Sequence, residues 1–105
     1  MKVLTPGHRY EVDNFEDPKS QGNPNQIIQF IEKEKNPSGA LATVCDGTTN
    51  EELLRVLIDR LQFLSQKLPS RESAIALNYI QQALAWLKKR TEDRRARGVE
   101  GTFQK

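Results

Sequence analysis

Apolar and polar positions change their rhythm near the middle of the chain. In the first half the apolar residues come in short runs broken by turn chemistry. Pro6-Gly7 marks a turn, and Arg9-Tyr10-Glu11-Val12-Asp13-Asn14-Phe15 alternates through its first part, setting Tyr10 and Val12 on one side as a strand requires. Glu16 to Asn25 (EDPKSQGNPN) holds two prolines, a glycine and side chains that bond their own backbone. Gln26-Ile27-Ile28-Gln29-Phe30-Ile31-Glu32 reads as a second strand pairing with the first. A short helix is the alternative, because Ile27, Ile28 and Ile31 share a helical face. Asn36-Pro37-Ser38-Gly39 breaks the chain again, Leu41-Ala42-Thr43-Val44-Cys45 is a brief strand, and Asp46-Gly47 turns. With Lys2-Val3-Leu4 this gives a meander of three or four short strands, too small to stand without cover on one face; the second half offers that cover.

From Thr48 onward the period becomes helical. Thr49 with Glu52 forms a capping box, and Thr48 with Glu51 offers the same one register earlier. Leu53, Leu54, Leu57, Ile58, Leu61, Leu64 and Leu68 follow at intervals of three and four, with Arg55, Asp59, Gln62 and Gln66 mostly opposite. Pro69 stops this helix or opens the next, for which Ser70 is a natural N-cap. Ile75, Ala76, Leu77, Ile80, Ala83, Leu84 and Leu87 form a second stripe that extends through Trp86, and Gly98 suits a C′ position. So short a connection folds two long helices back as an antiparallel αα-hairpin. The expected architecture is α+β: a small N-terminal antiparallel sheet (residues 1–47), the helical hairpin (residues 48–98) and a C-terminal tail (residues 99–105), in one domain. Phe63, Tyr79 and Trp86 sit off the centre of the stripes. They either cap the edge of the core or cover a neighbouring subunit or flat ligand.

Composition narrows the function classes. A chain of 105 residues has material for one small core, and surplus apolar helix face makes self-association an open prospect. A formal charge of +2 argues against nucleic-acid binding through bulk charge. No apolar run approaches the roughly 18 residues of a membrane span, and the N-terminus lacks the apolar centre of a secretory signal. One cysteine, Cys45, cannot form an internal disulfide, which fits a reducing compartment. Neither it nor the lone His8 supplies a metal cluster or a Cys–His pair, and no metal or other cofactor is expected. Motifs for nucleophilic, metalloprotease, nucleotide-loop or dinucleotide chemistry are missing, so no catalytic centre is expected. Asp13, Glu16 and Asp17 read as an ordinary acidic turn, and His8, beside Pro6-Gly7, as a solvent-exposed loop residue in preference to a general base.

The charge is placed unevenly. Residues 1–50 carry a net of −2 and residues 51–105 a net of +4, with six basic and two acidic side chains between Lys88 and Arg97. Arg90, Arg94 and Arg97 share a helical face, while Arg95 points elsewhere. Guanidinium forks grip phosphate bidentately, so this face can hold a phosphorylated ligand. The plainer alternative is a solvated helix end whose arginines complement the C-terminal dipole and pair with Glu92 and Asp93. Arginine outnumbers lysine five to two across residues 71–97, which favours recognition. Arg71, beside the second helix's start, either meets an anion there or simply accompanies ordinary capping.

Three blocks carry a family resemblance: Thr48-Thr49-Asn50-Glu51-Glu52-Leu53-Leu54 into Val56-Leu57-Ile58-Asp59-Arg60-Leu61; Pro69-Ser70-Arg71-Glu72; and Ala83-Leu84-Ala85-Trp86-Leu87-Lys88-Lys89-Arg90-Thr91-Glu92-Asp93-Arg94 into Arg97-Gly98-Val99-Glu100-Gly101. They resemble the helical-hairpin phage proteins that sequester immune nucleotide signals, the Thoeris anti-defence and anti-CBASS sponges. Gly7-His8-Arg9-Tyr10-Glu11, Asn14-Phe15-Glu16 and Gln29-Phe30-Ile31-Glu32 resemble the β-rich N-terminal extension of the Thoeris type. The resemblance implies binding of glycocyclic ADP-ribose without cleavage in the cytoplasm of an infected bacterial host. Relatives also hold cyclic dinucleotides or trinucleotides, and assemble as dimers and as hexamers made from dimers, with pockets between protomers. Carried over by position, Leu68, Arg71, Asn78 and Arg95 are the implied ligand contacts. Some members carry an aromatic residue where Leu68 stands, so stacking there is weaker here. No arginine stands near Thr43 and Val44, where some members have one, which makes cyclic trinucleotides the less secure ligand. With Arg90, Arg94 and Arg97 these form the candidate site. A nucleic-acid-binding hairpin using residues 88–97, hydrolysis of the signal, and a bare oligomerisation module are the competing readings.

Overall fold

A computed structural model describes residues 1–16 and 25–98. The turn-rich stretch 17–24 with Asp17, and the tail 99–105 with Val99, Glu100 and Gly101, lie outside the described residues. The chain forms two compact units, one ending at Thr49 and the other beginning at Asn50.

The N-terminal unit holds five short strands: β1 (Lys2–Thr5), β2 (Arg9–Val12), β3 (Gln26–Gln29), β4 (Glu32–Lys35) and β5 (Leu41–Cys45). They divide into an antiparallel sheet of order β1-β2-β3 and an antiparallel ribbon of β4 and β5. The 26–29 segment is a strand and not the alternative helix: Tyr10 pairs with Ile28 and Val12 with Gln26 in an unbroken ladder. The Glu32-Lys33-Glu34-Lys35 strand escapes hydrophobic pattern reading, because alternating charges give no apolar face to detect. Opposite it in register stand Thr43, Ala42 and Leu41. Asn36 builds the turn between them. Its Oδ1 accepts from the Ser38 N–H (3.1 Å), the Ser38 hydroxyl (2.7 Å) and the Ala40 N–H (3.0 Å). Gly39 then takes φ +85°, a left-handed conformation that glycine adopts without steric cost.

Sheet and ribbon meet where Phe30 bridges in parallel to Thr48. Thr48 N–H donates to the Gln29 carbonyl at 2.8 Å, and Ile31 N–H donates to the Thr48 carbonyl at 3.0 Å. The Phe30 ring packs edge-on against Tyr10, with centroids 5.9 Å apart.

The C-terminal unit is the expected hairpin of α1 (Asn50–Lys67) and α2 (Arg71–Ala96). Because α1 starts at Asn50 and Thr48 is tied into the bridge, the later of the two start registers is the one used. Ser70 caps α2: its Oγ accepts from the Ser73 N–H at 3.0 Å, in extended backbone. The half-buried positions of α2 are Ser73, Leu77, Ile80, Leu84, Leu87 and Thr91, alternating four and three apart, with buried Arg94 next in the series. Glu51, Leu54, Ile58, Leu61 and Ser65 give α1 a similar seam, beside half-buried Leu53. This seam is narrower than the apolar stripes. Leu57, Leu64 and Ile75 lie outside it, and among the described residues no hydrophobic side chain is fully buried. No helix among the described residues is long and apolar enough to cross a membrane.

Candidate functional site

The last turns of α2 concentrate the chemistry. On a helix, residues four apart stack in rows. Trp86, Arg90 and Arg94 make one row, and Lys89, Asp93 and Arg97 make the next. These six side chains line a groove of about 410 Å³, inside the roughly 300–1,000 Å³ range of small-molecule pockets. The groove lies toward the C-terminal end of α2, which at 26 residues is the longer helix, against 18 for α1.

Four cations and one carboxylate give the groove its field. Lys89 Nζ stands 3.5 Å from Asp93 Oδ2, an exposed i,i+4 pair of the kind that stabilises little. Arg90 and Arg97 are exposed, whereas Arg94 keeps only 6% of its surface, so its side chain is fixed before any ligand arrives. Trp86, 69% exposed, forms the one aromatic wall. Below the groove the helix closes with Arg97 N–H donating to the Asp93 carbonyl and Gly98 N–H to the Arg95 carbonyl, both at 3.1 Å. Gly98 adopts φ +73°, the C′ geometry expected of it.

Dipole complementation accounts for part of this arrangement. Arg94 and Arg95 lie in the last turn of α2, where a cation meets the negative helix end. The effect fades within one turn, so it does not account for Arg90, still less for an exposed Trp86 two turns up.

The structure brings Arg90, Arg94 and Arg97 together and leaves the other candidates apart. Arg95 is exposed next to the groove without lining it. Leu68 is 81% exposed in the connection between the helices, Arg71 is the first residue of α2, and Asn78 is exposed two turns later. From Arg71 to Arg90 the helix rises about 28 Å, so within one chain the two groups do not share a small ligand. At the Arg71 end Ser70 caps the helix, its Oγ accepting from the Ser73 N–H.

His8 departs from expectation. It is half-buried, not solvent-exposed, with its Nδ1 enclosed and without a hydrogen-bond partner. From sequence, Trp86 stood open between an edge aromatic and a cover for a neighbouring subunit or flat ligand, and Asp93 only as an ion-pair partner. The spacing 86-90-94 beside 89-93-97 was the signal that joined them to the arginines.

Residues 26–92 match the Acb2/Tad1 hairpin domain, from β3 through most of α2. Over 83 residues the chain is 41% identical to a protein named Thoeris anti-defense 1 from Bacillus phage SBSphiJ7, an alignment taking in 68% of this chain. The chain spans 58% of the length of that phage protein. With well over half of its sequence inside the matched domain, the chain belongs to the Acb2/Tad1 hairpin family.

Proposed function

We propose that this chain is a phage anti-defence protein that captures a cyclic ADP-ribose-type immune signal, glycocyclic ADP-ribose, and holds it uncleaved in the host cytoplasm. The convergence of Arg90, Arg94 and Arg97 on one groove carries the reading. A diphosphate needs a few firmly held guanidinium forks and not a broadly basic surface, which suits a chain of net charge +2 with a concentrated basic end. The name of the phage relative supports the anti-defence role. Capture without turnover also fits a sequence without a nucleophile–base pair. In this reading Leu68, Arg71, Asn78 and Arg95 complete the ligand contacts in pockets between protomers of a homo-oligomer. Exposed Val56, Phe63 and Tyr79 supply apolar surface for such an assembly.

Calorimetric titration with glycocyclic and other cyclic ADP-ribose isomers, cyclic dinucleotides and cyclic trinucleotides tests the proposal. Heating the loaded protein then releases the ligand for analysis. The expected result is saturable uptake of a cyclic ADP-ribose isomer and its recovery intact. Recovery of a linear product overturns sequestration. The dense cations of residues 88–97 favour nucleic acid as the second reading, and salt dependence separates the two. Nucleic acid loses affinity steeply with a log–log slope set by the phosphates neutralised, whereas one diphosphate gives a shallow slope.

A further inference from the structure

The exposed indole of Trp86 is unexplained by phosphate capture alone. It lies one helical turn above Arg90 and two above Arg94, a rise of about 6 and 12 Å along the axis. It forms the aromatic wall of a groove whose remaining walls are cationic, except for the Asp93 carboxylate. Phosphate by itself calls for no aromatic surface, and a tryptophan left 69% exposed carries a hydrophobic cost in water that a stacked ring would relieve. Three of the groove's six residues, Asp93, Arg94 and Arg97, fall beyond the matched hairpin domain, so the groove is not a feature of that domain alone.

We propose that Trp86 is a base-stacking platform, and that the groove therefore selects a purine-bearing phosphate over a sugar phosphate or inorganic phosphate. The purine lies flat on the indole, its phosphates reach down the helix to Arg90 and Arg97 beside the fixed Arg94, and Asp93 accepts from an exocyclic amine or a ribose hydroxyl. Stacking is indifferent to which purine is offered, while the guanidinium forks demand the phosphate, so both parts of the ligand are read at once. This specificity rests on the sequestration reading for its biological ligand, but its chemistry is testable separately.

Trp86 is the one tryptophan of the chain, so its emission reports the platform directly. ADP-ribose, ribose 5-phosphate and inorganic phosphate are titrated into the full-length protein by fluorescence and by calorimetry, with cyclic ADP-ribose as a fourth probe. Saturable quenching by ADP-ribose, with ribose 5-phosphate binding at least about tenfold more weakly, is the expected result. Trp86→Leu should lose about tenfold or more in ADP-ribose affinity by calorimetry, and Trp86→Phe should retain most of it. Neither change should move the thermal midpoint, because the side chain is exposed. Equal affinity of Trp86→Leu and wild type overturns the platform, and so does binding with unaltered emission. An altered sedimentation profile of Trp86→Leu with binding intact also overturns it, by marking the indole as a subunit contact. The two proposals fail differently. Cyclic ADP-ribose captured intact without any change in emission sinks the platform and leaves sequestration standing. Quenching followed by recovery of a cleaved product does the reverse.

Discussion

At the scale of single residues, one glycine and one serine are fixed by geometry. Gly47 passes so close to the β3–β4 junction that an added Cβ would collide with the Gln29 carbonyl oxygen and sit 2.7 Å from the Phe30 carbonyl carbon. Both are backbone atoms, and Thr48 N–H donates to that same Gln29 carbonyl, so the neighbour has little room to yield. Gly47→Ala should therefore destabilise the N-terminal unit by about 1–3 kcal/mol, the range for forcing atoms into a packed site. Urea unfolding followed at that unit checks this; an unchanged midpoint would mean that the bridge relaxes freely. Ser70 makes a smaller and cleaner case. Removing its hydroxyl leaves the Ser73 N–H without its side-chain acceptor, and Ser70→Ala should cost about 1 kcal/mol of hairpin stability. That corresponds to a fall of roughly 4–8 °C in its melting temperature. Ser70→Asp should keep most of the stability, since aspartate caps as well as serine does.

Between elements, legibility followed the apolar pattern and stopped where the pattern stopped. The helices declared themselves by period, by the Ser70 cap and by Gly98, β2 by the alternation of Tyr10 and Val12, and β3 and β5 by their apolar, β-branched runs. β4 did not, because its strand character comes from pairing with β5 and from the Asn36 turn and not from any face of its own. For the same reason the split into sheet and ribbon was hidden: it depends on the parallel bridge at Phe30 and Thr48, a contact between residues far apart in sequence. The site was half legible. Arginine spacing gave Arg90, Arg94 and Arg97, but the pattern did not say that Arg94 continues the seam of α2 and is buried while its two neighbours remain exposed. The turn also yields a test of the ribbon. Asn36→Ala deletes an acceptor used by three donors, and should loosen β4 and β5 with little effect on β1, β2 and β3. Amide exchange should accelerate through residues 32–45 and stay near wild type at Tyr10 and Ile28. Uniform acceleration across both would show that the ribbon does not open by itself.

For the whole molecule, the spread of candidate contacts along α2 has a consequence for the proposed assembly. Arg71 and Arg95 are separated by about 36 Å of helix, far more than a cyclic mononucleotide-sized ligand spans. If both serve one pocket, they come from different protomers. A two-fold axis then builds two equal pockets, each taking Arg71 from one chain and Arg95 from the other. Arg71→Ala and Arg95→Ala should each lose tenfold or more in affinity, since a charge-assisted contact is worth about 1.5–3 kcal/mol, with thermal unfolding almost unchanged. Unfolding the two variants together and refolding them as a mixture gives a sharper result. Half of the dimers then carry one of each chain, and in every such dimer one pocket is doubly deficient while the other is intact. Calorimetry on the mixture should recover about a quarter of the wild-type capacity at wild-type affinity. Were the two arginines to act in separate pockets, or within one chain, mixing would build no site that the single variants lack. Capacity would then stay at the level of the single variants, and the shared pocket would have to be given up.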